Sequence, residues 1–304
     1  MNVGLMFAST AWTTPDEIRR AIDLCEAAGV ESVWAVEHVL TPAELRSQYP
    51  YTDDGDLPGL GEVVLCDPVV WLTYAAAIST TLRLGTAIMI LPQRHPAYVA
   101  KEWATLDRLS DGRAMLGVGV GWLAEEMEAV GVPFAERGAR TDEAIDAIRS
   151  LWEPGCSTVD GRFFHWDDMV LNPRPASPDR VPIVVGGHSP AAARRAARRG
   201  DGFFFPGSLS RSIHAPGDDE QLAGVLATMR AECDRLGRNR DEIEVTVGAA
   251  GADPAAIDRL RTLGVDRVVI GAPPVDRLAA RLEGIDWLLD ERRQAGAQGG
   301  RDGR

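Results

Sequence analysis

The clearest candidate for chemistry is a pair of adjacent ionisable residues, Glu37 and His38, near the end of the apolar run SVWAVEHV. A buried β-strand tolerates little charge along its length, but polar groups can stand where a strand ends. Histidine exchanges a proton near neutral pH, and a neighbouring carboxylate can orient the imidazole or bind a donor on a ligand ring. The pair therefore predicts an acid–base site, with a capping pair at a strand end as the alternative.

A second candidate site follows the start of the segment PIVVGGHSPAAARRAARRGDG. Gly186, Gly187, His188 and Ser189 come directly after its apolar run, and Pro190 is typical of the first turn of a helix. Free backbone amides and the positive end of the helix dipole then converge, which predicts a phosphate-binding site. Four arginines of the same helix either add positive potential or form a solvated face: Arg194, Arg195, Arg198 and Arg199.

The glycine-rich run LGVGVGWLAEE resembles a dinucleotide fingerprint only in part. Gly117 and Gly119 have the required spacing, but Trp122 stands where the third glycine of GxGxxG would fall. Small residues at the end of a strand can instead leave room for a flat ring across the mouth of a barrel, with Trp122 as a wall of the pocket. A tryptophan packed in the core is the alternative.

Other chemistries are disfavoured. The acidic stretch DDGDLPGLGE lacks the ligand spacing of a calcium loop, and no histidines stand at metal-ligand spacing, so we expect no metal. Neither a GxSxG motif nor a persuasive Cys-His pair is present, which weakens a hydrolase interpretation. Arg94, just before a helix that Pro96 opens, is expected to be solvated.

These residues must be positioned by a repeated strand-helix pattern. The predicted strands are NVGLMF, SVWAV, LRLGTAIMI, RAMLGVGV, VPIVVGG, DGFFF, EIEVTVG and DRVVIG. They are continuous apolar runs, which indicates burial on both faces in a parallel sheet covered by helices. Amphipathic segments such as TPDEIRRAIDLCEAAG separate most of them. Eight such units predict an α/β fold, a (β/α)8 TIM barrel; a doubly wound open sheet is the rival.

The predicted barrel is a single domain over residues 1–291, with insertions after strand 2 and before strand 5. The first insertion, residues 40–66, is rich in Pro, Gly and Asp and follows a strand, so it is a candidate substrate lid. Residues 292–304 lose all periodicity and are expected to form a flexible tail.

The composition of the chain disfavours some classes of binding partner and predicts a cellular location. The formal net charge of −13 disfavours nucleic acid and anionic membranes, since the long-range field repels both. Four cysteines without a CxxC pair fit reduced thiols, and with no signal peptide or membrane-length apolar run they predict a cytoplasmic protein.

Taken together, these motifs resemble the bacterial luciferase-like monooxygenase superfamily, and within it the coenzyme F420-dependent oxidoreductases. The resemblance covers most of the chain, and its most specific parts are SVWAVEH, LRLGTAIMILPQRHPAYVAKEWATLDRLSDGRAMLGVGVGW, FAERGARTDEAIDAIRSLW and PIVVGGHSPAAARRAARRGDGFF. It implies a (β/α)8 barrel that binds a flavin-like ring at the carboxyl ends of the strands, and a homodimer.

The resemblance also implies roles for particular residues. Glu37 contacts the ring, where the family commonly has Asp, and His38 exchanges a proton. A non-proline cis peptide near Ala87 and Ile88 supports the ring from below, and the phosphate-bearing tail lies against Gly186, Gly187, His188 and Ser189. Trp122 stands where the branch that oxidises a phosphorylated sugar has a carboxylic acid. An apolar or aromatic substrate against Trp12 and Trp122 is therefore expected.

The implied reaction is hydride transfer between C5 of a reduced deazaflavin and a small organic substrate, accompanied by a proton at His38. Two alternatives stay open. The same barrel could bind FMN and use molecular oxygen as a monooxygenase, or it could bind a cofactor without catalysis.

Overall fold

Parallel strands close into a barrel with helices on its outer face. The computed structural model describes residues 1–50, 55, 57, 59–176, 181–207, 218–249 and 253–290, and over these ranges the barrel has eight parallel staves, as predicted. The staves are β1 (Asn2–Met6), β2 (Ser32–Ala35), β3 (Arg83–Thr86) with its continuation β4 (Met89–Ile90), β5 (Ala114–Gly119), β8 (Ile183–Gly186), β9 (Gly202–Phe205), β10 (Glu244–Ala249) and β11 (Arg267–Gly271).

Hydrogen-bonded neighbours follow the order β3-β2-β1-β11-β10-β9-β8-β5, and pairing of β3 with β5 completes the ring. Leu84 lies opposite Ala114 at that junction. β1 pairs with β11, so the first and last strands of the barrel are neighbours. Because all strands are parallel, their carboxyl ends meet at one mouth, where Glu37 and His38 follow β2.

Helices cover the barrel. They are α1 (Ala8–Ala11), α2 (Pro15–Ala28), α3 (Pro68–Ile78), α4 (Pro96–Leu109), α5 (Ala124–Ala129), α6 (Arg137–Trp152), α7 (Pro190–Arg199), α8 (Asp218–Leu236), α9 (Pro254–Leu263) and α10 (Val275–Glu283). The start of α2 has a complete capping box between Thr14 and Glu17, and Gly29 ends the helix at φ 79°. The sequence pattern did not predict α1, α5 and α10.

Both predicted insertions are present. An antiparallel hairpin of β6 (Ser157–Asp160) and β7 (His165–Met169) precedes the fifth stave. The insertion after β2 contains a 3₁₀ turn over Leu60–Glu62, and further 3₁₀ turns lie at Leu91–Gln93, Phe134–Glu136 and Arg240–Glu242. Part of the candidate lid and the predicted tail 292–304 lie outside the described residues.

The barrel interior is filled by large side chains. Trp34 is fully buried, lies 5.7 Å from the Phe204 ring between centroids, and donates its indole N–H to Ser32 Oγ at 2.8 Å. Gly4 and Gly85 make room for it, because a Cβ at either position would lie within 3 Å of an indole atom. The barrel is thus a packed core with its site restricted to the mouth.

A charged group closes the opposite end of the barrel. Arg267 is fully buried and donates from Nε and Nη2 to the two carboxylate oxygens of Glu31, each at 2.7 Å. Burial raises the pKa of Glu31, but the bidentate Arg267 pair outweighs it and holds the pKa below its usual range. This pair joins residues from opposite ends of the chain.

Candidate active site

His38 meets a carboxylate from a distant part of the chain. Its Nδ1 lies 2.7 Å from Oε2 of Glu126, which comes from α5, and only 13% of the His38 side chain is exposed. The indole of Trp122 meets the His38 ring edge-on at 5.8 Å between centroids, and Tyr49 meets Trp122 at 5.0 Å. His38 therefore lies in a mostly enclosed, partly aromatic setting, as an acid–base group requires.

Glu37 turns to a different partner. Its Oε1 accepts from Nε of Arg94 at 2.8 Å, and its Oε2 accepts from the backbone N–H of Ile90 at 2.5 Å. Arg94 also donates to Asp67 at 2.9 Å. Burial raises the pKa of Glu37, while Arg94 and the Ile90 amide act against that rise. The expectation that Arg94 is solvated is wrong, because it holds the buried Glu37 and the start of α3.

The carboxylate that orients His38 is therefore Glu126, whereas the sequence pointed to the adjacent Glu37. The contact joins residues 88 positions apart, so neighbouring letters do not reveal it. A signal does exist in WLAEEMEAV, where two glutamates lie in the first turn of a short helix that follows β5 and Trp122. Acidic residues in a first helical turn are common, which conceals the one with a specific partner.

Glu125 and Glu126 both hold the start of the candidate lid. Oε1 of Glu126 accepts from the amides of Val39 and Leu40, at 2.5 and 3.4 Å. Glu125 accepts from the Ser47 hydroxyl and from the amides of Arg46 and Ser47. Burial raises the pKa of Glu125, but these hydrogen bonds, led by that of the Ser47 hydroxyl, lower the pKa to about 2.

The peptide bond between Ala87 and Ile88 is cis, as the resemblance implies. The Ile88 side chain packs against two glycines at the mouth: a Cβ on Gly119 would lie 1.9 Å from its Cδ1, and one on Gly186 would lie 2.5 Å from its Cγ2. The Ile88 side chain thus fills the space that side chains at Gly119 and Gly186 would otherwise occupy. Gly117 serves another purpose, since its Cβ would lie 1.7 Å from the backbone oxygen of Thr86.

The predicted phosphate-binding residues lie together at the start of α7. Ser189 is the N-cap and accepts from the Ala192 amide at 3.3 Å, and Gly187 has φ 144°, a conformation that side chains disfavour. His188 is half-buried, which lowers the pKa of its imidazole. Gly186 lies against Ile88, so the predicted phosphate-binding residues adjoin the Ala87–Ile88 cis peptide.

The arginines of α7 pair with neighbouring helices. Arg195 and Arg199 bind Asp142 and Asp146 of α6 at 2.5 and 2.8 Å. Arg198 binds Glu232 of α8 at 2.7 Å. These three arginines thereby fasten α7 to its neighbours, a role that neither interpretation included. Arg194 and Arg198 are exposed, in agreement with a solvated face.

Trp12 does not line the mouth, contrary to the prediction. It is fully buried, donates its indole N–H to the Pro273 carbonyl at 2.9 Å, and packs against Trp71 at 6.4 Å between ring centroids. Trp71 in turn donates to the Trp12 carbonyl. Short helix α1 carries this residue away from the end of β1 into the core, whereas Trp122 does lie beside His38.

Two further observations concern the residues that the structure describes. No helix in these ranges is both long and apolar enough to cross a membrane. Within the same ranges, no group of three or more His, Cys, Asp or Glu side chains is placed to hold a metal ion.

The protein is thus a (β/α)8 barrel of the α/β class, whose mouth carries an enclosed histidine, glycines packed on Ile88 and the start of α7. Residues 1–252 match the family described as luciferase-like monooxygenase, and the chain belongs to that family.

Relatives within this family include an uncharacterized protein of Mycobacterium tuberculosis, 34% identical over 87% of this chain and 90% of its own. An F420-dependent glucose-6-phosphate dehydrogenase of Beutenbergia cavernae is 32% identical over 84% of this chain and 71% of its own. Among solved structures, the monooxygenase RslO1 from Streptomyces bottropensis has a TM-score of 0.72 at 22% identity, covering 94% of this chain and 98% of its own, and so shares the fold.

Proposed function

We propose that this oxidoreductase uses coenzyme F420 to transfer a hydride to or from a small organic substrate, with His38 exchanging the accompanying proton. The observation that carries the proposal is the enclosed pair of His38 and Glu126 at the barrel mouth, with Nδ1 and Oε2 2.7 Å apart. The F420-dependent relative at 32% identity supports the choice of cofactor.

The residues at the mouth fit a deazaflavin. Ile88 offers an apolar floor between Gly119 and Gly186, where any larger residue would collide with it. The bare backbone at Gly186 and Gly187 and the N-terminus of α7 suit the phosphate of the cofactor tail, despite the acidic net charge. In this proposal Ile88 supports the ring, and Gly186, Gly187, His188 and Ser189 hold the tail.

The protein supplies enclosure and a proton. When bound, a reduced deazaflavin would supply a hydride from C5 to a substrate carbon. His38 would give a proton from Nε2 to the substrate heteroatom, or take one in the reverse direction, while Glu126 holds the ring through Nδ1. Trp122 and Tyr49 exclude water beside His38, and their rings favour an apolar or aromatic substrate.

Glu37 has a supporting part in this proposal. Its carboxylate accepts hydrogen bonds from Arg94 and from the amide of Ile90, two residues after the Ala87–Ile88 cis peptide. It thereby fixes the strand that carries Ile88, and any contact with the ring is made from that restrained position. The homodimer and the cytoplasmic location complete the proposal; light scattering on the purified protein measures the former.

An FMN-dependent monooxygenase is the second candidate, favoured by the fold shared with RslO1. Fluorescence titration of the purified protein with F420 and with FMN separates the two candidates. We expect saturable binding of F420 and none of FMN; the opposite pattern overturns the proposal.

Turnover distinguishes an enzyme from a barrel that only binds cofactor. Oxidation of reduced F420 is followed by absorbance across enones, imines and quinones. For an accepted substrate, His38→Ala should lower kcat by about 10²–10⁴-fold, the usual contribution of a positioned acid or base, while F420 binding persists. Unchanged turnover in that variant contradicts the proton role of His38.

A further inference from the structure

Glu126 contacts three nitrogen atoms, namely Nδ1 of His38 and the backbone nitrogens of Val39 and Leu40. Its Oε2 faces Nδ1 of His38 at 2.7 Å, and its Oε1 accepts from the amides of Val39 and Leu40 at 2.5 and 3.4 Å. The side chain has no exposed surface, so water does not compete for these partners. One carboxylate thus touches the proposed proton carrier and the first residues of the candidate lid.

The chemistry of a carboxylate decides how His38 is protonated. An ionised carboxylate only accepts hydrogen bonds, so Nδ1 of His38 must carry the hydrogen that points at Oε2. We propose that Glu126 is a positioning residue that fixes neutral His38 as its Nδ1–H tautomer, while its other oxygen holds the backbone of Val39 and Leu40. The consequence for catalysis rests on the proposed function; the tautomer itself does not.

This tautomer leaves Nε2 as the atom that exchanges protons. Neutral Nε2 has a lone pair that accepts a proton from the substrate hydroxyl in the oxidative direction. In the reductive direction the N–H bond of the imidazolium at Nε2 breaks and the substrate O–H bond forms, while the hydride carries the electron pair to carbon. The opposite tautomer would present an N–H where the base is needed.

Of the groups described around His38, Glu126 is the charged residue that contacts the imidazole. Trp122 faces the imidazole with an uncharged ring, and Tyr49 lies beyond that indole. The adjacent Glu37 is turned to Arg94, and that guanidinium is shared with Asp67. Among these groups, Glu126 is the one with an oxygen at hydrogen-bond distance from the ring.

Glu126→Gln separates the two tasks of the carboxylate. The amide oxygen of Gln is expected to face Val39 and Leu40, because two backbone donors demand an acceptor there. The NH₂ group then points at Nδ1, which must become the acceptor, and His38 shifts to its Nε2–H form. Glu125→Gln is the matched control, since Glu125 holds Arg46 and Ser47 without contacting the imidazole.

The test is ¹⁵N NMR of the cofactor-free protein, labelled at its histidines, with His38 assigned from the spectrum of His38→Asn. Protonated and bare ring nitrogens have distinct shifts. We expect Nδ1–H in the unaltered protein and in Glu125→Gln, and Nε2–H in Glu126→Gln. An Nε2–H form in the unaltered protein, or no change in Glu126→Gln, overturns the proposal. The first outcome counts even if a variant fails to fold.

Kinetics provide the second readout. Glu126→Gln should lower kcat by about 10²–10⁴-fold, the range for loss of a working acid or base, with KM changed less. Glu125→Gln should raise KM through a looser lid and leave the tautomer unchanged. If F420 fails to bind yet the tautomers are as expected, the proposed function fails and the positioning role stands. If F420 binds but the tautomers differ from those expected, the positioning role of Glu126 fails and the proposed cofactor stands.

Discussion

Arg94 and Glu37 form a buried ion pair in which both Nε and Nη2 of the guanidinium contact the same carboxylate oxygen, at 2.8 and 2.5 Å. The other oxygen receives the Ile90 amide. The ion pair therefore joins the end of β2 to the segment between β3 and β4, which contains Ile88. His38, one residue further on, depends on a different carboxylate, so two adjacent residues are fixed from two sides.

Removing Arg94 should expose the cost of burying Glu37. Arg94→Met leaves that carboxylate without its cation, and we expect the free energy of unfolding at neutral pH to fall by about 3–5 kcal/mol. Burial raises the folded-state pKa of Glu37, so the loss should shrink as the pH falls and protonation removes the unpaired charge. Denaturant unfolding at several pH values measures this dependence.

The control for that variant is Arg19→Ala, which removes a surface pair with Asp16 whose side chains are 55% and 93% exposed. We expect a change of about 0–1 kcal/mol there. Equal losses in the two variants would show that the Arg94 pair is no stronger than a solvated one.

The contact between Gly119 and Ile88 predicts a rescue. Gly119→Ala places a Cβ 1.9 Å from Ile88 Cδ1 and should displace the floor of the mouth, lowering cofactor affinity. Ile88→Val removes that Cδ1, so the double variant should regain part of the affinity. Gly117→Ala offers no such remedy, because its Cβ would meet the Thr86 backbone oxygen. The test is titration of the cofactor against the two single variants at Gly119 and Ile88, their double variant and Gly117→Ala. If the double variant binds the cofactor no better than Gly119→Ala, this packing is contradicted.

The two tryptophans expected in the pocket should behave differently. Trp122→Ala should raise KM for apolar substrates and leave stability little changed, because this side chain borders His38 at the mouth. Trp12→Phe should lower stability by roughly 1–3 kcal/mol, because the partly buried Pro273 carbonyl loses its donor, with KM unchanged. Thermal unfolding and steady-state kinetics on both variants provide the comparison. A changed substrate preference in Trp12→Phe would restore the original expectation.

The start of the candidate lid should lose its hydrogen bonds to Glu125 only at strongly acidic pH. The pKa of Glu125 is lowered to about 2 in the folded protein, so its contribution to stability is complete above the unfolded value and is lost as pH falls through about 2. The Ser47 amide, which donates to this carboxylate at 3.0 Å, should report that midpoint in NMR spectra. A midpoint near 4.3, the ordinary value for glutamate, would mean that these hydrogen bonds do not persist in solution.

The barrel was predictable because its strands are buried on both faces. Apolar runs such as PIVVGG and DRVVIG have no polar alternation to confuse them with surface strands, and all eight staves are present. Helix starts with a proline and a capping residue were equally clear, as at Ser189 before α7. By contrast, α5 has only six residues, too few for a periodic pattern to develop.

The partners within the site were not predictable from local pattern. His38 and Glu126 come together only when the second and fourth staves are brought into one barrel, across 88 residues. Trp12 is the opposite case, a residue that local pattern placed in the pocket and the fold places in the core. Its position after the first strand suited a pocket, but α1 redirects it into contact with Trp71 and the Pro273 carbonyl. Residue type indicates what chemistry is available, whereas partner choice is a property of the closed fold.

The pairing of β1 with β11 has a consequence for synthesis on the ribosome. β1 ends at Met6, whereas its neighbour β11 begins at Arg267, so one edge of β1 stays open until the residues between them have been translated. Arg267 also brings the cation that neutralises Glu31. Before β11 has been synthesised, a nascent chain therefore holds an open edge of β1 and a Glu31 that has Arg83 at 3.7 Å but lacks its bidentate partner.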